Sequence, residues 1–206
     1  MTEMYDPTFV AKYYDELGDD EWSRLVKSPD AEAKLHVHRR VLAQHLSPGD
    51  RVLEVGAGAG RFTKALAELE VRVTVADISA VQLELNQKHA EEEGFRTAVD
   101  SWHQLNLMDM SVFEDSSFDH VVCYGGALSY CFERLADGLA ELRRVLKPDG
   151  KLLASVMSRH GTLKDALRAV LELPPEENWG IIRHGNLHPT THPSSKHHCH
   201  MFRPLE

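Results

Sequence analysis

At 206 residues with a formal charge of -9, the chain is long enough for one sizeable core, and its ordinary apolar and charged fractions exclude a disordered, collagen-like or coiled-coil protein. The acidic balance and the lack of a basic stripe argue against a nucleic-acid partner and favour a neutral or cationic small molecule. No signal-like segment opens the chain and no apolar run approaches bilayer length, so a cytoplasmic protein without a membrane partner is expected, with Cys123, Cys131 and Cys199 as free thiols.

Two helices are predicted before residue 50, one carrying Phe9, Tyr13 and Leu17 and one carrying Leu35, Val41, Leu42 and His45, parted by the turn Ser28-Pro29-Asp30. After Ser47-Pro48-Gly49-Asp50, residues Arg51 to Val55 read as a short buried strand that runs into Gly56-Ala57-Gly58-Ala59-Gly60 and a helix from Arg61 to about Leu69. A second strand spans Val71 to Ala76, and Ser79 caps a helix from Ala80 to Glu93 that Gly94 closes. Trp102 to Leu107, Phe118 to Tyr124 and Lys151 to Val156 give three further strands, with a helix over Phe132 to Leu146. Strands alternating with helices predict an α/β, Rossmann-like, doubly wound and mostly parallel sheet preceded by N-terminal helices. Beyond Ser158 a helix is expected over Thr162 to Leu173 and no strand thereafter. The organisation is therefore one domain in three parts: a helical lid over 1–46, a cofactor-binding core over 47–158, and a helix with a His-rich tail over 159–206.

Glycines directly after a buried strand allow a sharp turn and let a ligand approach the following helix N-terminus, a cofactor-loop signal. A dinucleotide fingerprint wants its third glycine three residues after the second, where this chain has Arg61, so an NAD-dependent dehydrogenase is disfavoured. With Glu54 one residue inside the strand end, the segment Val52 to Gly60 resembles the first motif of class I S-adenosylmethionine-dependent methyltransferases. Asp77 follows the second strand, where a carboxylate can accept from two ribose hydroxyls, and Ile78 is placed to lie against adenine. Asn106 to Met110 with Asp115 to Asp119 resembles the family's adenine-holding segment. Asn106 stands where an aspartate is usual, with Asp109 as competitor, and the Leu107 amide is placed to donate to the ring. Arg143 to Gly150 and Lys151 to Ser155 resemble the family's last helix, turn and fifth strand, so the likeness covers roughly residues 10 to 158.

The resemblance implies an S-adenosylmethionine site at Glu54, Gly56, Gly58, Gly60, Asp77, Ile78, Asn106, Leu107 and Tyr124, and methyl transfer to an acceptor near Tyr124 to Tyr130. The Asn/Asp-Pro-Pro-aromatic motif of nucleic-acid amino methyltransferases is absent, which points to a small-molecule acceptor. Tyr14 is a candidate cofactor contact from the lid, and Tyr130, His198 and His200 are candidate catalytic groups, with His197 beside them; ordinary loop histidines are the favoured reading of the tail. The density of His184, His188, His192, His197, His198, Cys199 and His200 raises zinc as a rival, but Pro189 and Pro193 oppose the helix that would align the first three, and no metal is expected. The family adds two strands after the fifth, so the sheet is expected to be incomplete at its C-terminal edge, as in a truncated homologue, with a homo-oligomer as one way to cover it. A cofactor-binding regulatory subunit without catalysis is the alternative function.

Overall fold

The computed structural model describes residues 4–165, 167–172, 174–189 and 197–203. Three helices come first, α1 (Pro7–Leu17), α2 (Asp20–Ser23) and α3 (Pro29–His45). Their starts follow local rules: the Asp6 carboxylate accepts from the Thr8 and Phe9 amides ahead of Pro7, and Ser28 accepts from the Ala31 amide ahead of Pro29. The alternating core then runs β1 (Arg51–Val55), α4 (Arg61–Ala67), β2 (Arg72–Asp77), α5 (Ala80–Glu92), β3 (Val99–Gln104), β4 (Phe118–Cys123), α6 (Leu135–Val145) and β5 (Leu146–Ala154). Helices α7 (Arg159–Asp165), α8 (Leu167–Glu172) and α9 (Pro175–His184) follow, with a two-residue ladder of β6 (Asn186–Leu187) and β7 (Cys199–His200).

The five core strands are all parallel in the order β3-β2-β1-β4-β5. Successive residues of β1 and β4 serve opposite faces, as a pleated strand requires. Val52 and Val122 join a layer with Leu42, Phe62, Leu66 and Leu83, while Leu53 and Val121 join one with Met110, Leu142 and Val145. The chain steps outward from β1 in one direction and from β4 in the other, so the order reverses between their C-terminal ends, where doubly wound folds bind ligands.

Several boundaries differ from those expected. The third strand starts at Val99 and stops at Gln104, which leaves Leu105 to Leu107 as a loop at the sheet's C-terminal end; the Leu105 amide closes on the Asp77 carbonyl. β5 begins at Leu146, and the expected turn at Pro148 to Gly150 lies inside it as a register shift between the pairs Phe118–Leu146 and His120–Lys151. The helix expected over Thr162 to Leu173 is two helices, α7 and α8, and the chain does re-form strands after residue 158, as β6 and β7. Within the expected lid, α1 and α2 lie near the strand ends whereas α3 is a core element whose Leu42 is fully buried. Among the described residues no sixth strand joins β5, and no helix is long and apolar enough to cross a membrane.

Candidate cofactor and acceptor site

The glycine loop leaves β1 by turning onto β2: the Gly56 and Ala57 amides both donate to the Ala76 carbonyl, at 2.9 and 3.3 Å. Gly56 has φ +70°, and a Cβ there would stand 2.8 Å from the Ala127 Cβ, so the loop after β4 can close on β1 only over a glycine. Gly58, at φ +54°, faces the Glu21 side chain, whose Cγ is 3.2 Å from a Cβ placed there. The buried Asp77 carboxylate ties this loop to the end of β2, accepting from the Gly58 amide on one oxygen and from the Ser79 amide on the other, both at 2.8 Å. Burial, with Glu21 nearby, raises its pKa to about 6 against backbone bonds from Ser79, Gly58 and Ile78, which leaves a carboxylate at neutral pH.

A buried polar chain underlies the loop. Thr63 Oγ1 donates to Glu54 (2.7 Å), Asn86 Nδ2 donates to Thr63 Oγ1 (2.9 Å) and to the Gly58 carbonyl (3.2 Å), and Trp102 Nε1 donates to Asn86 Oδ1 (2.9 Å). Desolvation pushes the Glu54 carboxyl up to about 8, so it is largely protonated at neutral pH and props the loop as a neutral group. Gly60 starts α4 and packs on Asn86.

Helix α5 also carries the posts that hold α1 and α2. Gln82 Nε2 donates to the Tyr14 and Gly18 carbonyls (2.9 and 2.8 Å), and its own Oε1 is buried with no partner. His89 bridges the Ala59 carbonyl (2.9 Å) and Asp19 (3.1 Å) and stacks on Trp22. Arg61, which stands where a dinucleotide loop wants glycine, joins this cluster: its guanidinium is 3.6 Å from the Trp22 ring centroid and donates twice to the Trp22 carbonyl. Glu21 and Arg24 form a bidentate pair at 2.7 to 2.9 Å directly over the loop. Burial works against the Arg24 charge, but the Glu21 bonds outweigh it and raise the pKa further.

These elements border an open cleft whose empty space, counted out into solvent, is about 700 Å³. Its floor is Val55, Gly56, Gly58 and Asp77; one wall is Ile78 with Leu105 to Leu107, and the other is Tyr124, Gly125, Ala127, Tyr130 and Cys131. Tyr5, Val10, Tyr14 and Glu21 close it from the N-terminal side. Asn106 Oδ1 accepts from the Met108 amide at 2.9 Å and from the Tyr5 hydroxyl at 2.5 Å, so a ligand amino group reaches that oxygen only by displacing Tyr5. On the far wall the Tyr14 and Tyr130 hydroxyls lie 2.9 Å apart, and His197 Nε2 lies 3.3 Å behind Tyr130.

Of the expected site residues, the cleft gathers Gly56, Gly58, Asp77, Ile78, Asn106, Leu107, Tyr124, Tyr14 and Tyr130, with Glu54 and Gly60 beneath. Asp109, the competitor of Asn106, is exposed and accepts from the Ser111 amide instead. His198 stacks on Phe9 and His200 bonds Asn186 at 2.6 Å; neither lines the cleft, and His197 is the tail histidine that approaches it. His192 lies outside the described residues, among which no three His, Cys, Asp or Glu side chains converge as metal ligands would. The three cysteines are free and buried. Glu21, Gln82, Asn86, His89 and Tyr5 were not expected. The available signal was the spacing of Gln82, Asn86 and His89, a polar stripe at helical period on the helix after the second strand.

Residues 52–150 match the methyltransferase-domain family. A ubiquinone biosynthesis O-methyltransferase of Xanthomonas campestris pv. campestris is 30% identical over 122 residues, which are 58% of this chain and 48% of that protein; the chain thus spans about half the length of the curated relatives it matches. Among solved structures, the cyclase SpnF superposes with a TM-score of 0.66 at 22% identity over 77% of this chain and 63% of its own. A putative S-adenosyl-L-methionine-dependent methyltransferase from Methanococcus maripaludis superposes at 0.59 and 17% identity over 87% of this chain and 78% of its own. Strand order, glycine loop and the match over residues 52–150 agree: the core of this chain is similar to methyltransferase domains.

Proposed function

We propose that the chain binds S-adenosylmethionine in this cleft and catalyses methyl transfer to a small-molecule acceptor. The observation that carries the reading is the pairing, at the switch point of the sheet, of a glycine cradle with a buried strand-end carboxylate that lines the cleft. The residues fit the group: Gly58 leaves an approach that a side chain would fill, and the buried, unpartnered Gln82 Oε1 lies 3.8 Å from that same Cβ position. Asp77 takes the ribose hydroxyls and Ile78 one adenine face. The Leu107 amide is the ring donor, Asn106 becomes available to the amino group once Tyr5 swings away, and Tyr124 with the loop borders the methionine end. When bound, S-adenosylmethionine supplies a methyl group already activated on a sulfonium, so that in-line displacement needs chiefly positioning in a dry site.

The chain supplies the dryness through α1 and α2, whose Val10, Tyr14 and Glu21 close the cleft. The acidic surface and the 30%-identical relatives, named as O-methyltransferases of ubiquinone biosynthesis, favour a small acceptor with a reactive oxygen. Fold alone does not decide the chemistry, since a cyclase shares it. The test is incubation with methyl-labelled S-adenosylmethionine and a panel of small acceptors. Label in one acceptor, matched by S-adenosylhomocysteine, is expected; tight binding without any transfer would instead establish a binding subunit.

A further inference from the structure

Resting on that reading, we infer that Tyr130 and His197 form a proton relay on the acceptor wall, and hence that the acceptor is a hydroxyl compound. Tyr130 lines the cleft, and its Oη meets the Tyr14 hydroxyl at 2.9 Å and His197 Nε2 at 3.3 Å. With Nε2 as the acceptor, Tyr130 donates to His197 and Tyr14 donates to Tyr130, which fixes the direction of the chain and leaves one Tyr130 lone pair for the acceptor's proton. The tail is anchored for this role. Cys199 and Met201 are buried against Tyr130, the Phe202 amide donates to the Met157 carbonyl (2.8 Å), and the Met201 amide donates to the Gly185 carbonyl (2.6 Å). In the transfer, a lone pair of the acceptor oxygen forms the new O–C bond while the C–S bond breaks onto sulfur. The acceptor's proton passes to Tyr130 Oη and the Tyr130 proton passes to His197 Nε2, leaving an imidazolium that discharges to water. A thiol or stabilised carbanion acceptor needs no such base, whereas a neutral hydroxyl or an ammonium does; the relatives named as O-methyltransferases favour the hydroxyl.

Among the groups facing His197 are Tyr13 of α1, Tyr130, and the neighbouring His198 with His188 beyond it; Glu21 and Arg24 are charges that act on Tyr13 and Tyr14. Burial first, then His198, lowers the His197 pKa, which keeps the imidazole neutral at physiological pH, and burial holds Tyr130 as a phenol. The first test needs no acceptor. Imidazole ¹⁵N NMR of the whole chain at pH 7.5 is expected to find His197 protonated on Nδ1 with Nε2 accepting; an Nε2–H tautomer overturns the relay. The second is turnover with hydroxyl and thiol acceptors. Tyr130→Phe and His197→Gln are each expected to cut the hydroxyl rate by about 10²- to 10⁴-fold, the usual range for a lost acid–base group, and to flatten its fall at acid pH. Thiol rates and cofactor affinity should stay within a few-fold. Equal losses with both acceptor types, or a retained acid limb in His197→Gln, would overturn the relay while methyl transfer stands. Absence of transfer from the wild-type protein to any acceptor would instead remove the methyltransferase reading and, with it, the relay.

Discussion

The two walls of the cleft are built on different principles. The wall proposed for the cofactor comes from strand ends, where the Gly58 and Ser79 amides meet one buried carboxylate at the end of β2. The acceptor wall is assembled from distant segments: the Tyr14–Tyr130 contact spans 116 residues and the Tyr130–His197 contact 67. On the proposed reading, rigid scaffold presents the cofactor, while the N-terminal helices and the tail, joined by side chains, shape what the cofactor meets. Substitutions on the first wall should therefore cost binding with little effect on choice of acceptor, and substitutions on the second should do the reverse.

The largest expected effect is at the loop. Gly58→Val forces a β-branched residue to φ +54° with its Cβ 3.2 Å from Glu21, and fills the approach to the cleft. Binding of S-adenosylhomocysteine, followed by calorimetry, should weaken by roughly a hundredfold or more while circular dichroism stays native-like. Next is Asp77→Ala, expected to weaken binding by about 1 to 3 kcal/mol, the scale of hydrogen bonds to a charged group. Because the free carboxyl titrates at about 6 and the ionised form is the better acceptor, wild-type affinity should be full above that value and fall as the pH drops through it. The alanine variant should lack that fall, and an unchanged variant affinity would return Asp77 to a purely structural role.

Much of the cofactor wall was legible because its signals are local. A buried strand running into glycines, with an acid ending the next strand, reads the same way in one dimension as in three, and β1, β2 and Asp77 stand where the pattern puts them. The sequence pattern sets the third strand three residues late, because Leu105 to Leu107 continue the apolar pattern while the backbone has already turned to bond Asp77. The stripe of Gln82, Asn86 and His89 was missed for a general reason: polar residues at helical period read as a solvated face, and only the packing of α5 beneath the loop and against α1 shows them to be buried. On the tail no local pattern separates His197 from His198 and His200; a contact made across the chain does.

Smaller effects sharpen the comparison at its seam. Arg61→Ala removes the stack on Trp22 and two bonds to its carbonyl, contacts together worth about 1 to 2 kcal/mol. It should loosen α1 and α2, seen as faster proteolysis before residue 29, and weaken cofactor binding by no more than about tenfold. Glu54→Gln should leave affinity within about threefold but alter stability against pH. Burial raises the folded carboxyl from its ordinary 4.5 to about 8, so the folded state holds a proton that the unfolded chain releases. Wild-type stability should decline as pH rises across that window, and thermal melts of the glutamine variant should lose that slope.

The most direct test of the central claim is a calorimetric titration of the whole chain at pH 7.5 with S-adenosylmethionine and, separately, with NADH. One saturable site for S-adenosylmethionine, with NADH binding far more weakly, is the result that the glycine spacing, Arg61 and Asp77 together require. Tighter binding of NADH, or no binding of S-adenosylmethionine at concentrations that saturate related domains, would contradict it.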